Sequence, residues 1–294
     1  MGAAAGERRT LSRKRGTTVD VPVKQESRQD RFEDQDEDRF AAQESIECSR
    51  LGDGIALAEF SGAHEQNPFS RARMRELTAL MRELDADEKV RCVVLYGGAG
   101  RSFGVGGDFH EVSEFTGGDE VNAWIDDITD LYTTVAAISK PVIAAIDGYA
   151  IGVGLQISLC CDYRLGSEQA RLVMPEFRVG IACNFGGFML EAAAGRTVMQ
   201  RMLLTCDEWP AERALADGLL HETVASPRLL DRALELARTI SGYTAEAVQS
   251  TRPRVNAPFV AGLERIRREA KESHRRAFAA GEAQVRMRRV IGRS

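Results

Sequence analysis

The sequence predicts an α/β fold with a largely parallel sheet. Three observations predict it: short apolar runs of strand length, amphipathic helical stretches between them, and glycine-bearing turns after two of the strands. Ile55–Phe60 reads as the first strand. Arg71–Asp85 places Met74, Leu77, Leu80, Met81 and Leu84 three or four residues apart, which makes one helical face apolar. Cys92–Tyr96 is a short apolar strand ending in Gly97-Gly98. Glu120–Ile138 repeats the helical spacing through Val121, Trp124, Ile125, Ile128, Leu131 and Val135. Val142–Ile146 is another short buried strand, and a second glycine turn leads into the apolar stretch Leu155–Cys161. Beyond about Gly195 the strand signals fade. Thr197–Leu204, Glu212–Asp217, Leu229–Ile240 and Pro258–Ala280 carry helical patterns instead. The expected organisation is therefore a core over residues 46–205 and a helical region over residues 206–294.

Residues 1–45 differ in kind. Val23–Phe40 is mostly Lys, Gln, Glu, Arg and Asp, and too little apolar surface is present to offset the entropy of ordering it. This extension is expected to be disordered. Over the whole 294-residue chain 44% of residues are apolar and the formal net charge is −5, with both signs mixed. Such a chain has no global electrostatic reason to bind nucleic acid or an anionic membrane. No apolar run approaches the ~20 residues of a membrane-spanning helix. Met1–Thr18 is basic but lacks the apolar stretch of a secretory signal. The six cysteines lie scattered without CxxC spacing, several inside apolar runs. They read as reduced thiols of a cytoplasmic protein, with no metal site.

Two glycine turns carry the chemistry. One is Arg101-Ser102-Phe103-Gly104-Val105-Gly106-Gly107-Asp108-Phe109-His110-Glu111. The other lies within Lys140–Gly154, at Asp147-Gly148-Tyr149-Ala150-Ile151-Gly152-Val153-Gly154. In each a strand feeds a turn that opens a helix, so backbone N–H groups can converge on one spot beside a positive helix end. Asp108 followed by Glu111 has the spacing of a capping box, which gives Asp108 a structural role. Neither turn has the Lys-Ser/Thr of a phosphate-binding P-loop, and the first lacks a dinucleotide fingerprint.

Phe103–Glu111, Lys140–Asp162, Val173-Met174-Pro175-Glu176 with Val179-Gly180-Ile181, and Phe185-Gly186-Gly187 stand in one order and spacing. Together they resemble the enoyl-CoA hydratase/isomerase (crotonase) superfamily from about Ser49 onward. The resemblance implies the crotonase fold, a ββα superhelix closed by a C-terminal helical segment that mediates assembly as a homotrimer or hexamer. It also implies an oxyanion hole for a thioester oxygen, with the backbone N–H groups of Gly107 and Val153 as donors.

Hydratases of this superfamily use two glutamates. Here the first of those positions is Gln156, and the second is Glu176. An amide does not transfer protons as a carboxylate does, which argues against simple hydration. Asn67-Pro68-Phe69-Ser70, Ala123-Trp124-Ile125-Asp126, Asp130-Leu131-Tyr132, Val255-Asn256-Ala257-Pro258-Phe259 and His274 to Phe278 resemble instead the carboxymethylproline synthases of carbapenem antibiotic biosynthesis. The N-terminal extension departs from their shorter members and suits a thienamycin-type pathway. Val153 departs too, replacing a less branched residue. This resemblance implies malonyl-CoA and pyrroline-5-carboxylate as substrates, with no permanently bound cofactor and no metal. Glu176 is then the general base for thioester hydrolysis, while Gln156, Trp124 and His274 contact substrate, His274 as partner of the imine's carboxylate. Two alternatives stay open: another crotonase reaction on an acyl-CoA, and a non-catalytic RNA-binding homologue.

Overall fold

The computed structural model describes residues 44–292, so the extension expected over residues 1–45 lies almost wholly outside them. β1 (Ser45–Arg50) and β2 (Ile55–Ser61) pair antiparallel. α1 (Arg71–Ala86) begins at Ser70, whose hydroxyl accepts the N–H of Arg73 and caps the helix. β3 (Cys92–Tyr96) then runs parallel to β2, and β4 (Gly104–Val105) leads into α2 (Phe109–Val112) and α3 (Asp119–Ala137). β5 (Val142–Ile146), β6 (Tyr149–Ile151) and α4 (Val153–Cys160) form the next unit, and β7 (Tyr163–Ser167), β8 (Arg171–Val173) and α5 (Asn184–Thr205) the one after. β9 (Trp209–Pro210), α6 (Ala211–Ala216), β10 (Glu222–Val224), α7 (Leu229–Ser241), α8 (Ala245–Ala279) and α9 (Glu282–Ile291) complete the order.

Two sheets result. The larger has the order β1-β2-β3-β5-β7-β10 and the smaller β4-β6-β8-β9. Each of β3, β5 and β7 sits in the larger sheet, and the strand after it sits in the smaller one. Three successive units of strand, strand and helix therefore wind in parallel, which is the ββα superhelix of the crotonase fold.

The inner strands of the larger sheet are buried on both faces, and they obey the two-residue alternation of side chains. Ala56, Ala58, Phe60, Val93, Leu95, Val142, Ala144 and Ile146 face the main core with α1, α3 and α4. The intervening Ile55, Leu57, Cys92, Val94, Tyr96, Ile143 and Ala145 face α7 through Leu229, Ala233 and Ala237.

The C-terminal third corrects the expectation that strands end near Gly195. β9 pairs antiparallel with β8, and β10 pairs parallel with β7, so this region contributes a strand to each sheet. α8 also starts earlier than its pattern implied, and runs through Pro253 and Pro258. A proline reads as a helix start because its ring removes an N–H donor. Here the helix continues past both because its side chains tie it to the end of α3. Arg252 donates to the carbonyls of Val135, Ala136 and Ile138 and to Asp162 Oδ2 at 2.7 Å, and Asn256 Nδ2 donates to Ala136 O at 3.0 Å.

Candidate active site

The site grows from the register of the smaller sheet. Val105 pairs with Ile151, and Ile151 with Val173, so three parallel strands end level with one another. Each strand runs directly into one of the motif segments: Gly106-Gly107 after β4, Gly152-Val153 after β6, and Met174-Pro175-Glu176 after β8. The bonds Gly106 N–H to Ile151 O (2.7 Å) and Gly152 N–H to Val173 O (3.0 Å) lock these turns side by side. Crevices beyond the carboxyl ends of parallel strands are where α/β folds place their ligands.

Two glycines make this approach feasible. Gly152 has φ +51°, and a Cβ there would lie 3.3 Å from Glu176 Oε1. At Gly154 a Cβ would fall 2.2 Å from Gly104 O, so only a glycine lets α4 start against β4. Val153 is the first residue of α4, and its N–H has no place in the helical ladder. Among the described residues neither Gly107 nor Val153 donates its N–H to a backbone carbonyl. Among the described residues, two N–H donors without a backbone acceptor thus stand at neighbouring strand ends.

Glu176 lies beside them and is buried. Gln156 Nε2 donates to Glu176 Oε1 at 2.7 Å, and Tyr132 Oη donates to Gln156 Oε1 at 2.7 Å. Gln156 Nε2 also lies 3.4 Å from Met174 Sδ. Burial pushes the Glu176 carboxyl up to about 7, opposed by its own backbone N–H, the Cys183 thiol and the Gln156 amide. Glu176 Oε2 is buried with no hydrogen-bond partner among the described residues. A carboxyl balanced near neutrality is suited to taking and returning a proton.

Trp124 on α3 and His274 on α8 form an aromatic wall with Phe115 and Phe278. Trp124 Nε1 is a second buried polar atom without a partner among the described residues. His274 is buried, unlike the surface position normal for a histidine on a charged helix. Its Nδ1 lies 2.8 Å from Ala270 O. Burial holds the imidazole below its ordinary value, against hydrogen bonds to the carbonyls of Ala270 and Ala182. The ring is thus engaged with main chain, and burial favours its neutral form. Ala182 precedes Cys183, so His274 also braces the segment that carries Glu176.

Tyr132 and Cys183 were not among the expected site residues. Tyr132 falls in the apolar stripe of α3, and the signal available was a hydroxyl among core positions, which needs a buried partner. Cys183 gave no signal, since its role depends on a segment folding back. Asp108 caps α2 by accepting the N–H of His110 at 2.9 Å. The capping box does not close, because Glu111 Oε2 accepts the N–H of Arg71 instead. Among the described residues no cluster of side chains could hold a metal ion, and no helix is long and apolar enough to cross a membrane. All six cysteines are free.

Comparison with known proteins agrees with this architecture. Residues 50–289 match the enoyl-CoA hydratase/isomerase family model. A carboxymethylproline synthase of Pectobacterium carotovorum subsp. carotovorum is 39% identical over 241 residues, covering 82% of this chain and 96% of that protein. A probable enoyl-CoA hydratase of Rhizobium meliloti is 32% identical, over 69% of this chain and 77% of that protein. Among solved structures, ThnE from S. clavuligerus is 91% identical with a TM-score of 0.70, covering 78% of this chain and all (100%) of that one. An enoyl-CoA hydratase/isomerase from Mycobacterium paratuberculosis shares the fold at 23% identity, with a TM-score of 0.77 over 85% of this chain and 100% of that one. With its superhelix of paired strands, its level glycine turns and this similarity along most of its length, the chain belongs to the enoyl-CoA hydratase/isomerase family, and within it is similar to carboxymethylproline synthase.

Proposed function

We propose that the protein is a carboxymethylproline synthase that uses malonyl-CoA and pyrroline-5-carboxylate. The observation that carries this reading is the Gln156–Glu176 pair: one amide and one carboxylate 2.7 Å apart, beside two turns whose N–H donors have no backbone acceptor among the described residues. A site with a single carboxyl cannot run the two-glutamate addition of water, but it can serve a reaction that needs one base.

The thioester oxygen of malonyl-CoA accepts hydrogen bonds from the N–H groups of Gly107 and Val153. The bond from the methylene carbon to the free carboxylate breaks, CO2 leaves, and the electron pair becomes an enolate whose oxygen those donors stabilise. Losing one such donor typically costs about 10²–10³ in rate. The enolate carbon then attacks the C=N carbon of pyrroline-5-carboxylate, and the ring nitrogen ends protonated. Finally Glu176 takes a proton from water, which attacks the thioester carbonyl and releases free CoA and carboxymethylproline. Trp124 and His274 supply the wall against which the imine packs. The superfamily's trimeric or hexameric assembly through residues 206–294 is part of the same reading.

The test is mass spectrometry of the protein incubated with both substrates, beside Glu176→Ala. Free carboxymethylproline from the wild type, with its CoA thioester accumulating in the variant, supports the assignment. Acetyl-CoA as sole product, or malonyl-CoA left unconsumed, overturns it.

A further inference from the structure

A primary amide can face a carboxyl with either end. An ionised carboxylate only accepts, so it selects the NH2 end of Gln156, whereas a protonated one can donate and selects the oxygen. The atom on the far side of Gln156 therefore helps decide the charge of Glu176. That atom is Tyr132 Oη, 2.7 Å from Gln156 Oε1. Tyr132 is fully buried on α3, with its ring 5.6 Å from Phe185 at an edge-to-face angle of 71°. Among the described residues, Gln156 Oε1 is the one hydrogen-bond partner of its hydroxyl.

We propose that Tyr132 is a positioning residue: by donating to Gln156 Oε1 it holds the amide NH2 against Glu176 Oε1, and so favours Glu176 as an ionised base whose buried Oε2 is left without a partner among the described residues. The groups around the carboxyl agree with this. Gln156 comes from α4, Tyr132 from α3 and Cys183 from the residue before α5, with Cys160 and Cys206 behind them. Burial pushes the Tyr132 hydroxyl and the thiols of Cys160 and Cys183 well above their usual ranges, so all three remain protonated where Glu176 titrates. The positive end of the polarity around Glu176 is thus supplied by oriented neutral dipoles, with Tyr132 setting the orientation of the largest.

This inference rests on the proposed function for its kinetic consequence and on geometry alone for its electrostatic one. The experiment therefore reads both. The Glu176 carboxyl is titrated by difference infrared spectroscopy, with Glu176→Gln identifying its band. In Tyr132→Phe the midpoint is expected to rise by about 0.5–1 pH unit, the worth of one ordinary hydrogen bond. In Gln156→Met it is expected to rise by about 1–2 units, because a bond to the charged group itself is lost. Adding Tyr132→Phe to Gln156→Met should then produce no further shift, since the tyrosine acts through the amide. At pH 7 Tyr132→Phe should also release a larger share of product as the unhydrolysed CoA thioester. An unshifted midpoint in Tyr132→Phe, or the same shift with and without Gln156, overturns the proposal. Should Tyr132→Phe fail to fold, an unshifted midpoint in Gln156→Met overturns it equally. If the wild type makes no carboxymethylproline, the functional reading fails while the titration still decides the role of Tyr132.

Discussion

The indole of Trp124 meets the imidazole of His274 edge to face, with ring centroids 5.5 Å apart and planes at 72°. These residues are far apart in sequence, and their contact pins α8 across α3 at the site. Because burial holds His274 neutral, the protein carries a group that resists protonation. Its folded-state affinity for a proton is depressed, so the stability it contributes is present above the unfolded value of about 6.5 and is lost as pH falls below it. His274→Leu should therefore be less stable than the wild type at pH 8, through lost packing and hydrogen bonding, with the deficit shrinking at pH 5. Thermal melts at the two pH values check this; a deficit that grows on acidification contradicts it.

Glu176 has the opposite linkage. Its carboxyl sits at about 7 in the folded protein, raised from 4.5, so the stability associated with its protonated form is complete below about 4.5 and is lost as pH rises through 7. Glu176→Gln should stabilise the protein at pH 8, by up to about 3 kcal/mol, and by little at pH 5. Urea unfolding at both pH values measures the difference. Equal effects at the two would show that the carboxyl is not held near neutrality.

Gln156→Glu places two carboxyls where a 2.7 Å hydrogen bond now joins an amide to one. Such a pair shares a proton, and the second ionisation moves upward by more than about one pH unit. If the proposed reaction holds, the pH at which thioester hydrolysis reaches half its maximum should rise accordingly, while decarboxylation of malonyl-CoA at pH 7 falls less. Rate against pH for each step decides the matter.

Arg252 is almost completely buried. It satisfies the last carbonyls of α3 and pairs with Asp162, which in turn accepts the N–H of Val142. Arg252→Ala removes the guanidinium from the carbonyls of Val135 and Ile138 and from the Asp162 ion pair, and should destabilise the protein by about 3–5 kcal/mol in urea unfolding. A cost below about 1 kcal/mol would mean that water replaces the guanidinium at the helix end.

Much of this architecture is legible in the chain because its longer elements have a period. Cys92–Tyr96 and Val142–Ile146 fall where an unbroken apolar run predicts buried strands, and α1 and α3 where spacing of three and four predicts helices. The smaller sheet is not legible. Gly104–Val105, Tyr149–Ile151 and Trp209–Pro210 span two or three residues each, too short for any alternation to register. Within the site, the glycine turns and Glu176 stand out as motif residues. The Tyr132–Gln156–Glu176 chain does not, since it joins three elements through tertiary contact and each member alone has an ordinary core or loop context.

The level ending of β4, β6 and β8 has a consequence for how such a protein can change. Adjacent strands in a sheet stand about 4.8 Å apart, a distance fixed by peptide hydrogen bonding. The separation of the Gly107 and Val153 amides is thus inherited from ladder geometry and owes nothing to a side chain. Replacing the side chain of Gln156, Trp124 or Val153 would leave both amides where the ladder puts them. Inserting or deleting one residue in any of these short strands would shift one amide by a full residue step and dismantle the pair. Chemistry at this site can vary freely by substitution, and hardly at all by change of length.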